Sequence, residues 1–177
     1  KRPFYPIVKS LNKTTLINNF SLSNSFKITA LTFKSDFALD NKQINFLGLK
    51  NGLSDYWGSS VSEFGTSKLN VSPILPNGKP NFWAHSPYNY RSSNSDDILN
   101  YNFVYTRDID FTNSIIKAYG EPDKIYQLGK EIVNPKIVEL DSINKDYRYI
   151  LFYNKNSIGW SNIQANISDK ATKEYCQ

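Results

Sequence analysis

The sequence predicts an α+β domain in which two short helices pack on one face of an antiparallel sheet. Segments of alternating apolar and polar residues recur along the chain, as expected for strands of a half-buried sheet. Two other stretches combine helical spacing of apolar residues with an N-cap and a closing glycine. At 177 residues, with 40% hydrophobic and 15% aromatic content, the chain has enough apolar side chains for one well-packed core.

The N-terminal third is predicted to be a tether followed by strands. Residues 1–24 are polar, contain two prolines and lack periodicity, so they indicate a linker that precedes a domain at 25–177. The segment SFKITALTFKSDFAL (25–39) alternates apolar and polar residues and predicts a strand. NKQINFLGLKNG (41–52) predicts a second, shorter strand that closes on the turn pair Asn51-Gly52.

A first helix and a long loop are predicted next. LSDYWGSSVSEFG (53–65) has Ser54 or Asp55 as an N-cap and Gly65 as a stop signal, which is typical of a short amphipathic helix. Prolines, serines and asparagines dominate residues 71–97, so this region is predicted to be a loop insert. Loops of that length in a compact domain often carry function.

The remaining chain predicts one more strand, the second helix and an antiparallel meander. ILNYNFVYTRD (98–108) alternates as a strand does, and DFTNSIIKAYGEPDKIY (110–126) predicts a helix capped by Asp110 or Thr112 and stopped by Gly120. Asp108 and Asp110 are interpreted as strand-end and cap residues. The segments KIYQL, KIVEL, YRYILFYN and SIGWSNIQ are separated by polar turns and predict consecutive strands.

The two predicted helices resemble each other. Val61 corresponds to Ile116, Phe64 to Tyr119, and Gly65 to Gly120. In both, an aromatic residue precedes a glycine that is expected to end the helix with a positive φ. The match indicates either an internal duplication or the shared physics of helix capping.

Composition argues against several classes of function. The net charge of +5 is spread along the chain instead of forming the basic patch of a nucleic-acid-binding protein. No apolar run approaches the ~20 residues of a membrane-spanning helix. One histidine and one cysteine cannot form an intrachain disulfide or a zinc cage, so no metal or cofactor is expected.

No catalytic constellation is apparent either. His85 has Ser86 beside it and Asp96 and Asp97 nearby, but no G-x-S-x-G elbow is present to expose a serine nucleophile. Phosphate-binding glycine motifs are also absent from the sequence. We therefore predict that the protein is not an enzyme and name no catalytic residue.

The stretch NFWAHSPYNYRSS (81–93) is the predicted binding site. Tyrosine, tryptophan and arginine dominate binding hot spots because they combine a large rigid surface with a polar group. Trp57 and Trp160 are further candidates elsewhere in the chain, and core packing is an equally good explanation of the aromatic residues. The predicted binding residues are Phe82, Trp83, His85, Tyr88, Tyr90 and Arg91.

The segment SIIKAYGEPDKIYQLGKE, followed further on by YRYILFYNKNSIGW, resembles the BamE/SmpA-like small α+β envelope lipoproteins over roughly residues 111–160. In that family a short helix ends in a Gly-x-Pro turn and an antiparallel sheet follows. The resemblance implies a non-enzymatic module of the bacterial envelope that acts through protein–protein contacts. No binding residues are carried over from the family.

The expected function is that of an exported domain, periplasmic or secreted, that binds another protein. The chain begins Lys-Arg-Pro and contains no methionine, which suggests either a removed leader, with a lipid anchor upstream of Lys1, or a cloning boundary. Two alternatives remain open. One is an inhibitor or immunity-type protein that blocks an enzyme or toxin with its 80–91 loop, and the other is an aromatic-lined binder of carbohydrates or small ligands.

Overall fold

A computed structural model describes residues 36–64, 69–84, 90 and 100–168. These residues belong to one compact unit that runs from Asp36 to Gln177. The predicted domain start at residue 25 lies outside the described residues and stays a prediction. The elements follow the chain as α1 (36–46), β1 (Asn51–Ser54), a 3-10 helix η1 (Gly58–Phe64), β2 (Asn70–Pro73), β3 (Phe103–Thr106), α2 (Ile109–Tyr119), β4 (Lys124–Leu128), β5 (Lys136–Val138), a 3-10 helix η2 (Leu140–Ser142), β6 (Arg148–Phe152) and α3 (Ile158–Ser168).

The six strands form one mixed sheet in the order β2-β1-β3-β6-β4-β5. β1 pairs in parallel with β2 and with β3, whereas β6 runs antiparallel to β3 and β4, and β4 antiparallel to β5. The predicted purely antiparallel sheet is therefore wrong. The predicted meander is also wrong. In the sheet, β6 lies between β3 and β4 and does not pair with β5. Alternation of side chains places residues on faces but carries no information about strand direction.

Helices cover both faces of the sheet, not one face as predicted. Alternate residues of β3 separate two cores, with Val104 on one side and Phe103 and Tyr105 on the other. We call the side of Val104 face A and the side of Phe103 face B. Helices α2 and α3 contribute Ile115, Tyr119, Ile163 and Ile167 to the face-A core, and α1 and η1 contribute Phe37, Ile44 and Val61 to the face-B core.

The predicted duplication does not match this arrangement. The first of the two similar segments is a 3-10 helix with Val61 in the face-B core, and the second is an α-helix with Tyr119 in the face-A core. Shared capping physics therefore explains the sequence similarity better than a repeated unit. Gly65 lies outside the described residues.

Three segments predicted to be strands contribute to helices, because α1 covers the end of 25–39 and the first part of 41–52, and α3 covers most of SIGWSNIQ. The chain is helical over 36–46, where buried positions recur at helical spacing but include the polar residues Asp40, Asn41 and Gln43. Those polar residues interrupt the apolar pattern, so the helical period was hidden. In α3, Gly159, Ile163 and Ile167 are buried four residues apart, a spacing that the segment SIGWSNIQ is too short to reveal.

The helix α2, its closing glycine and the strands β3 to β6 are confirmed, but the cap of α2 lies at another residue. β3, β4, β5 and β6 lie inside segments that were predicted to be strands. The cap of α2 is Asp108, not Asp110 or Thr112, because its carboxylate accepts hydrogen bonds from the amides of Asp110 and Phe111. Gly120 ends the helix with φ 95°, as predicted.

The turn predicted at Asn51-Gly52 and the start of the loop predicted at residue 71 are both wrong. Asn51 and Gly52 open β1 instead of forming a turn, and a Cβ at Gly52 would lie 2.1 Å from the ring of Phe103. Glycine is needed here for close approach to that ring. β2 also takes the first residues of the predicted 71–97 loop insert, because it completes the parallel edge of the sheet.

Among the helices of the described residues, none has the length and apolar character required to cross a bilayer.

Candidate functional site

The connection that follows β2 folds back on itself as a tight hairpin. Ile74 and Pro80 form an antiparallel bridge, and the amide of Leu75 donates to the carbonyl of Lys79 at 2.9 Å. At the tip, the amide of Gly78 donates to the carbonyl of Leu75, and Gly78 has φ 79°. A glycine is required there because this backbone conformation is strained for other residues.

The tip of this hairpin is held by the face-A core. The hydroxyl of Tyr119, at the end of α2, donates to the carbonyl of Gly78 at 2.5 Å. Burial raises the pKa of Tyr119 far above its usual value, so the hydroxyl remains a donor at every physiological pH. A Cβ at Gly78 would lie 2.6 Å from the Tyr119 ring, which is a second reason for glycine.

The base of the hairpin is held by Tyr90. The ring of Tyr90 is buried, and its hydroxyl donates to the carbonyl of Pro73, the last residue of β2. Phe82 packs edge-on against Tyr90 with ring centroids 5.9 Å apart. The same Pro73 carbonyl also accepts a hydrogen bond from the amide of Asn81 at 3.0 Å. Residues 81–84 are thereby tied to the end of β2 by both backbone and aromatic contacts.

Trp83 is displayed at the surface by this arrangement. The amide of Ala84 donates to the carbonyl of Asn81 at 3.0 Å, which closes a turn over residues 81–84 that we call the Trp83 turn. Within it, Phe82 faces the core and Trp83 is 99% exposed. An indole with no burial at all is unusual, because tryptophan is among the most buried side chains on average.

The structure separates the predicted site residues into distinct roles. Tyr90 is a core residue and Phe82 packs against the core, which matches the core-packing alternative. Trp83 lies at the surface, so core packing does not account for it. His85, Tyr88 and Arg91 lie outside the described residues, so their part in the site stays a prediction.

The two tryptophans outside the loop differ in exposure. Trp160 packs against the face-A core and donates its indole N–H to the Oδ1 of Asn100 at 2.9 Å, so its role is structural. Trp57 is 49% exposed in the turn that leaves β1, with the ring of Tyr56 edge-on at 5.1 Å. Ser54 and Pro73, the last residues of β1 and β2, are register partners in adjacent parallel strands. Trp57, which follows β1, and the Trp83 turn, which follows β2, therefore come after strand ends on the same side of the sheet.

A buried polar network that the sequence did not reveal joins α1 to the sheet. The carboxylate of Asp40 is fully buried and accepts two hydrogen bonds from the guanidinium of Arg148, at 2.5 and 2.9 Å. The hydroxyl of Tyr105 donates to the same carboxylate at 2.5 Å. Both carboxylate oxygens of Asp40 accept hydrogen bonds from these side chains, so the three residues form a structural clamp between α1, β3 and β6.

Burial perturbs the protonation of this network. Desolvation raises the pKa of Asp40, and the contacts with Arg148 and Tyr105 oppose that rise. Burial alone would lower the pKa of Arg148, but its hydrogen bonds and ion pair with Asp40 outweigh that effect and leave it raised. The pKa of Tyr105 is raised by burial and by the neighbouring carboxylate.

A second polar contact holds the far end of α1. The side-chain amide of Gln43 donates to the carbonyls of Gly129 and Ile132, and its oxygen accepts from the amide of Gly129. Gln43 thereby fastens α1 to the connection between β4 and β5. In the described part of the chain, no cluster of three or more His, Cys, Asp or Glu side chains is placed to hold a metal ion.

Comparison with known proteins gives no match to a family model, a curated protein or a solved structure. What the molecule does must therefore be inferred from its own residues.

Proposed function

We propose that this protein is a non-enzymatic domain that binds another protein, with the Trp83 turn as the main contact. The observation that carries the proposal is a fully exposed indole on a turn whose supports are buried. Phe82 and the Pro73 carbonyl anchor the turn from below, and Tyr90 contacts both of them. A partner would meet an aromatic side chain on backbone that is already ordered.

The energetics favour such a side chain as a binding anchor. A tryptophan buries ~200 Å² on complete enclosure, which at ~25 cal/mol per Å² corresponds to about 5 kcal/mol of gross stabilisation. Association costs consume much of this gain, and the cost of ordering the contact residues is smaller when the loop is ordered beforehand. Tryptophan is accordingly one of the residues enriched at binding hot spots.

The buried titratable groups support a structural assignment rather than a catalytic one. Asp40, Arg148 and Tyr105 contact one another inside the face-B core. Tyr90 and Tyr119 donate their hydroxyls to backbone carbonyls in the face-A core. Perturbed pKa values arise in structural networks as well as in active sites, and each of these groups has an internal partner that accounts for its burial.

The shape of the Trp83 turn also suits an inhibitor or immunity-type protein. A single aromatic side chain that projects from a pinned turn can enter the concave site of an enzyme or toxin. This second candidate uses the same residues and differs in the partner, which would lose its activity when bound.

We further propose that the domain works in an exported setting, periplasmic or secreted, with a lipid anchor upstream of Lys1. The resemblance to BamE/SmpA-like modules motivates this part of the proposal. Fractionation of cells that express the gene from its own start codon tests it. Recovery of the domain in the cytosolic fraction, with its leader uncleaved, would contradict it.

Site-specific cross-linking tests the protein contact. A photoreactive phenylalanine analogue is placed at position 83 and, as a matched control, at Ile158, which is 82% exposed at the start of α3. We expect a discrete cross-linked partner from position 83 and none from position 158.

The purified partner is then used to measure affinity. Trp83→Ala should weaken binding at least tenfold, which corresponds to about 1.4 kcal/mol, and should leave the unfolding midpoint unchanged because the side chain is exposed. Ile158→Ala should change neither quantity. If Trp83→Ala binds the partner as tightly as the native protein, the Trp83 turn is not the contact.

A further inference from the structure

The sheet ends in an apolar edge strand, β5. Within the described residues, β5 pairs with β4 on one side and with no strand on the other. Its central residue, Ile137, is 60% exposed, and the flanking Val133 and Leu140 are exposed as well. An apolar edge strand with free backbone groups is a ready template for pairing with another strand.

Two hydrogen bonds set the direction of the backbone groups in β6. The amide of Tyr153 donates to the carbonyl of Asn102 on the β3 side, and the carbonyl of Phe152 accepts from the amide of Asp123 on the β4 side, both at 2.9 Å. Backbone groups of successive residues in an antiparallel strand point to opposite neighbours. The N–H and C=O of Phe152 and Ile150 therefore face β4.

The same alternation, followed across β4, leaves the backbone groups of Ile137 directed outward. Ile150 is the register partner of Tyr126, so Tyr126 faces β6 and the preceding Ile125 faces β5. Val138, the partner of Ile125, faces β4 in return. The N–H and C=O of Ile137 consequently point away from the sheet.

The outward groups along this edge are complementary to themselves. Pro135 and Glu139 lie two residues to either side of Ile137 and direct their backbone groups the same way, and Glu139 has extended backbone angles. Pro135 has no N–H, and the carbonyl of Glu139 already accepts from the amide of Ser142 at 3.0 Å. When two copies pair antiparallel about Ile137, Glu139 of one copy lies opposite Pro135 of the other. The missing donor then meets the carbonyl that needs none.

We propose that two copies of this chain associate through β5, with Ile137 opposite Ile137, and join their six-stranded sheets into one continuous sheet. The two Ile137 residues exchange both of their backbone hydrogen bonds, and each Glu139 N–H donates to the Pro135 carbonyl of the other copy. The Ile137 side chains become cross-strand neighbours on face B, next to the half-buried Tyr126. An unrelated strand fits less well, because its own groups would face the missing donor of Pro135 and the engaged carbonyl of Glu139.

The contact is small, so the dimer should be weak and reversible. Stable interfaces bury ~800 Å² per partner, and a three-residue strand with three exposed apolar side chains provides less. Pro135, Lys136 and the shortness of β5 are features that limit open-ended strand pairing, which favours a closed pair over a fibre. We expect a Kd on the order of 0.1–1 mM.

Sedimentation equilibrium of the full chain, from about 10 µM to about 1 mM, tests the association. Ile137→Pro should abolish the dimer and leave the unfolding midpoint nearly unchanged, because the N–H that it removes faces solvent in the monomer. The matched control is Val138→Pro, which removes an N–H that faces β4 and should therefore lower the unfolding midpoint.

Disulfide cross-linking tests the register, in a chain whose native Cys176 is replaced by serine. Cysteines introduced by Ile137→Cys would have Cα atoms about 5.5 Å apart, a separation that a disulfide spans. Val133→Cys is the control. Val133 is 90% exposed, but the two copies of this residue lie at opposite ends of the paired strands, about 20 Å or more apart. We expect a disulfide-linked dimer from position 137 and none from position 133.

Several outcomes would overturn the proposal. These are a chain that stays monomeric up to about 1 mM, equal disulfide formation at positions 133 and 137, and a dimer that survives Ile137→Pro. Loss of the dimer in Trp83→Ala would also overturn it, because self-association would then run through the Trp83 turn. Capture of a different protein from position 137 by a monomeric chain would assign the edge to a foreign strand. None of these results bears on the partner of the Trp83 turn, which is identified by cross-linking from position 83.

Discussion

Removing Arg148 should expose how strongly the protein depends on the buried network that holds α1. Asp40 is 0% exposed, and the side chain of Arg148 is 18% exposed. Replacing Arg148 with methionine fills similar volume but leaves the Asp40 carboxylate buried with only the Tyr105 hydroxyl as a side-chain donor. Loss of one partner from a buried ion pair costs about 3–5 kcal/mol, a large part of the ~5–15 kcal/mol that stabilises a typical domain.

Urea unfolding at neutral pH measures this cost, and a double-mutant cycle isolates the pair. In the variant that carries Arg148→Met and Asp40→Asn together, no unpaired charge remains. We therefore expect the double variant to be more stable than the sum of the single changes implies, with a coupling of about 2–3 kcal/mol. The Asp36–Lys130 contact is the control, because the Lys130 side chain is 58% exposed and its removal should cost less than ~1 kcal/mol.

The pH dependence of the same variant has a defined sign. Burial raises the pKa of Asp40 in the folded protein, and the loss of Arg148 removes the main opposing contact. A carboxyl with a folded pKa above its unfolded pKa favours folding when protonated, and this contribution is lost as pH rises through the folded pKa. The destabilisation caused by Arg148→Met should therefore be smaller near pH 4 than at pH 7.5. An equal loss at both pH values, or additive single changes, would refute the proposed ion pair.

Three further changes test individual contacts by urea or thermal unfolding. Thr106→Val should stabilise the protein by about 1 kcal/mol, because the buried Thr106 hydroxyl has no hydrogen-bond partner among the described residues, and a less stable variant would contradict this. Gly78→Ala should cost about 2–4 kcal/mol of stability through backbone strain and a clash with the ring of Tyr119. The matched control is Gly48→Ala, because Gly48 has a similar φ and no atom near the added Cβ, so this change should cost only about 1–2 kcal/mol. Equal losses in the two variants would show that the clash is relieved. Gln43→Ala should cost about 2–4 kcal/mol because it leaves buried backbone groups without partners, and a loss below ~1 kcal/mol would argue against that contact.

Part of the candidate site could be predicted from sequence. The aromatic stretch at 81–93 drew attention to Trp83, because runs rich in tryptophan and tyrosine are typical of recognition surfaces, and its part in binding stays a prediction. The sequence could not show that Phe82 and Tyr90 face the core while Trp83, the neighbour of Phe82, is exposed. That division is set by the hydrogen bonds at the Pro73 carbonyl, which is distant from Tyr90 in the chain.

The parallel pairing of β1 with β3 could not be predicted from the sequence. Trp57 was noted only for its residue type, and the cap of α2 was expected at Asp110 or Thr112 instead of Asp108. Their relation depends on parallel pairing between strands that are separated by the whole of η1, β2 and the following connection. Hydrophobic alternation gives the same pattern for parallel and antiparallel neighbours, so the shared edge was not predictable.

By itself, the sequence determined the local elements whose signals are short-range. These are the alternating strands β3, β4 and β6, and the helix α2 with its closing Gly120. Tertiary structure decided strand direction, the two-sided coverage of the sheet and the helical state of α1. The physical reason is that α1 gains stability from polar contacts of Asp40 and Gln43 with distant parts of the chain, and such contacts leave no periodic apolar trace in the sequence.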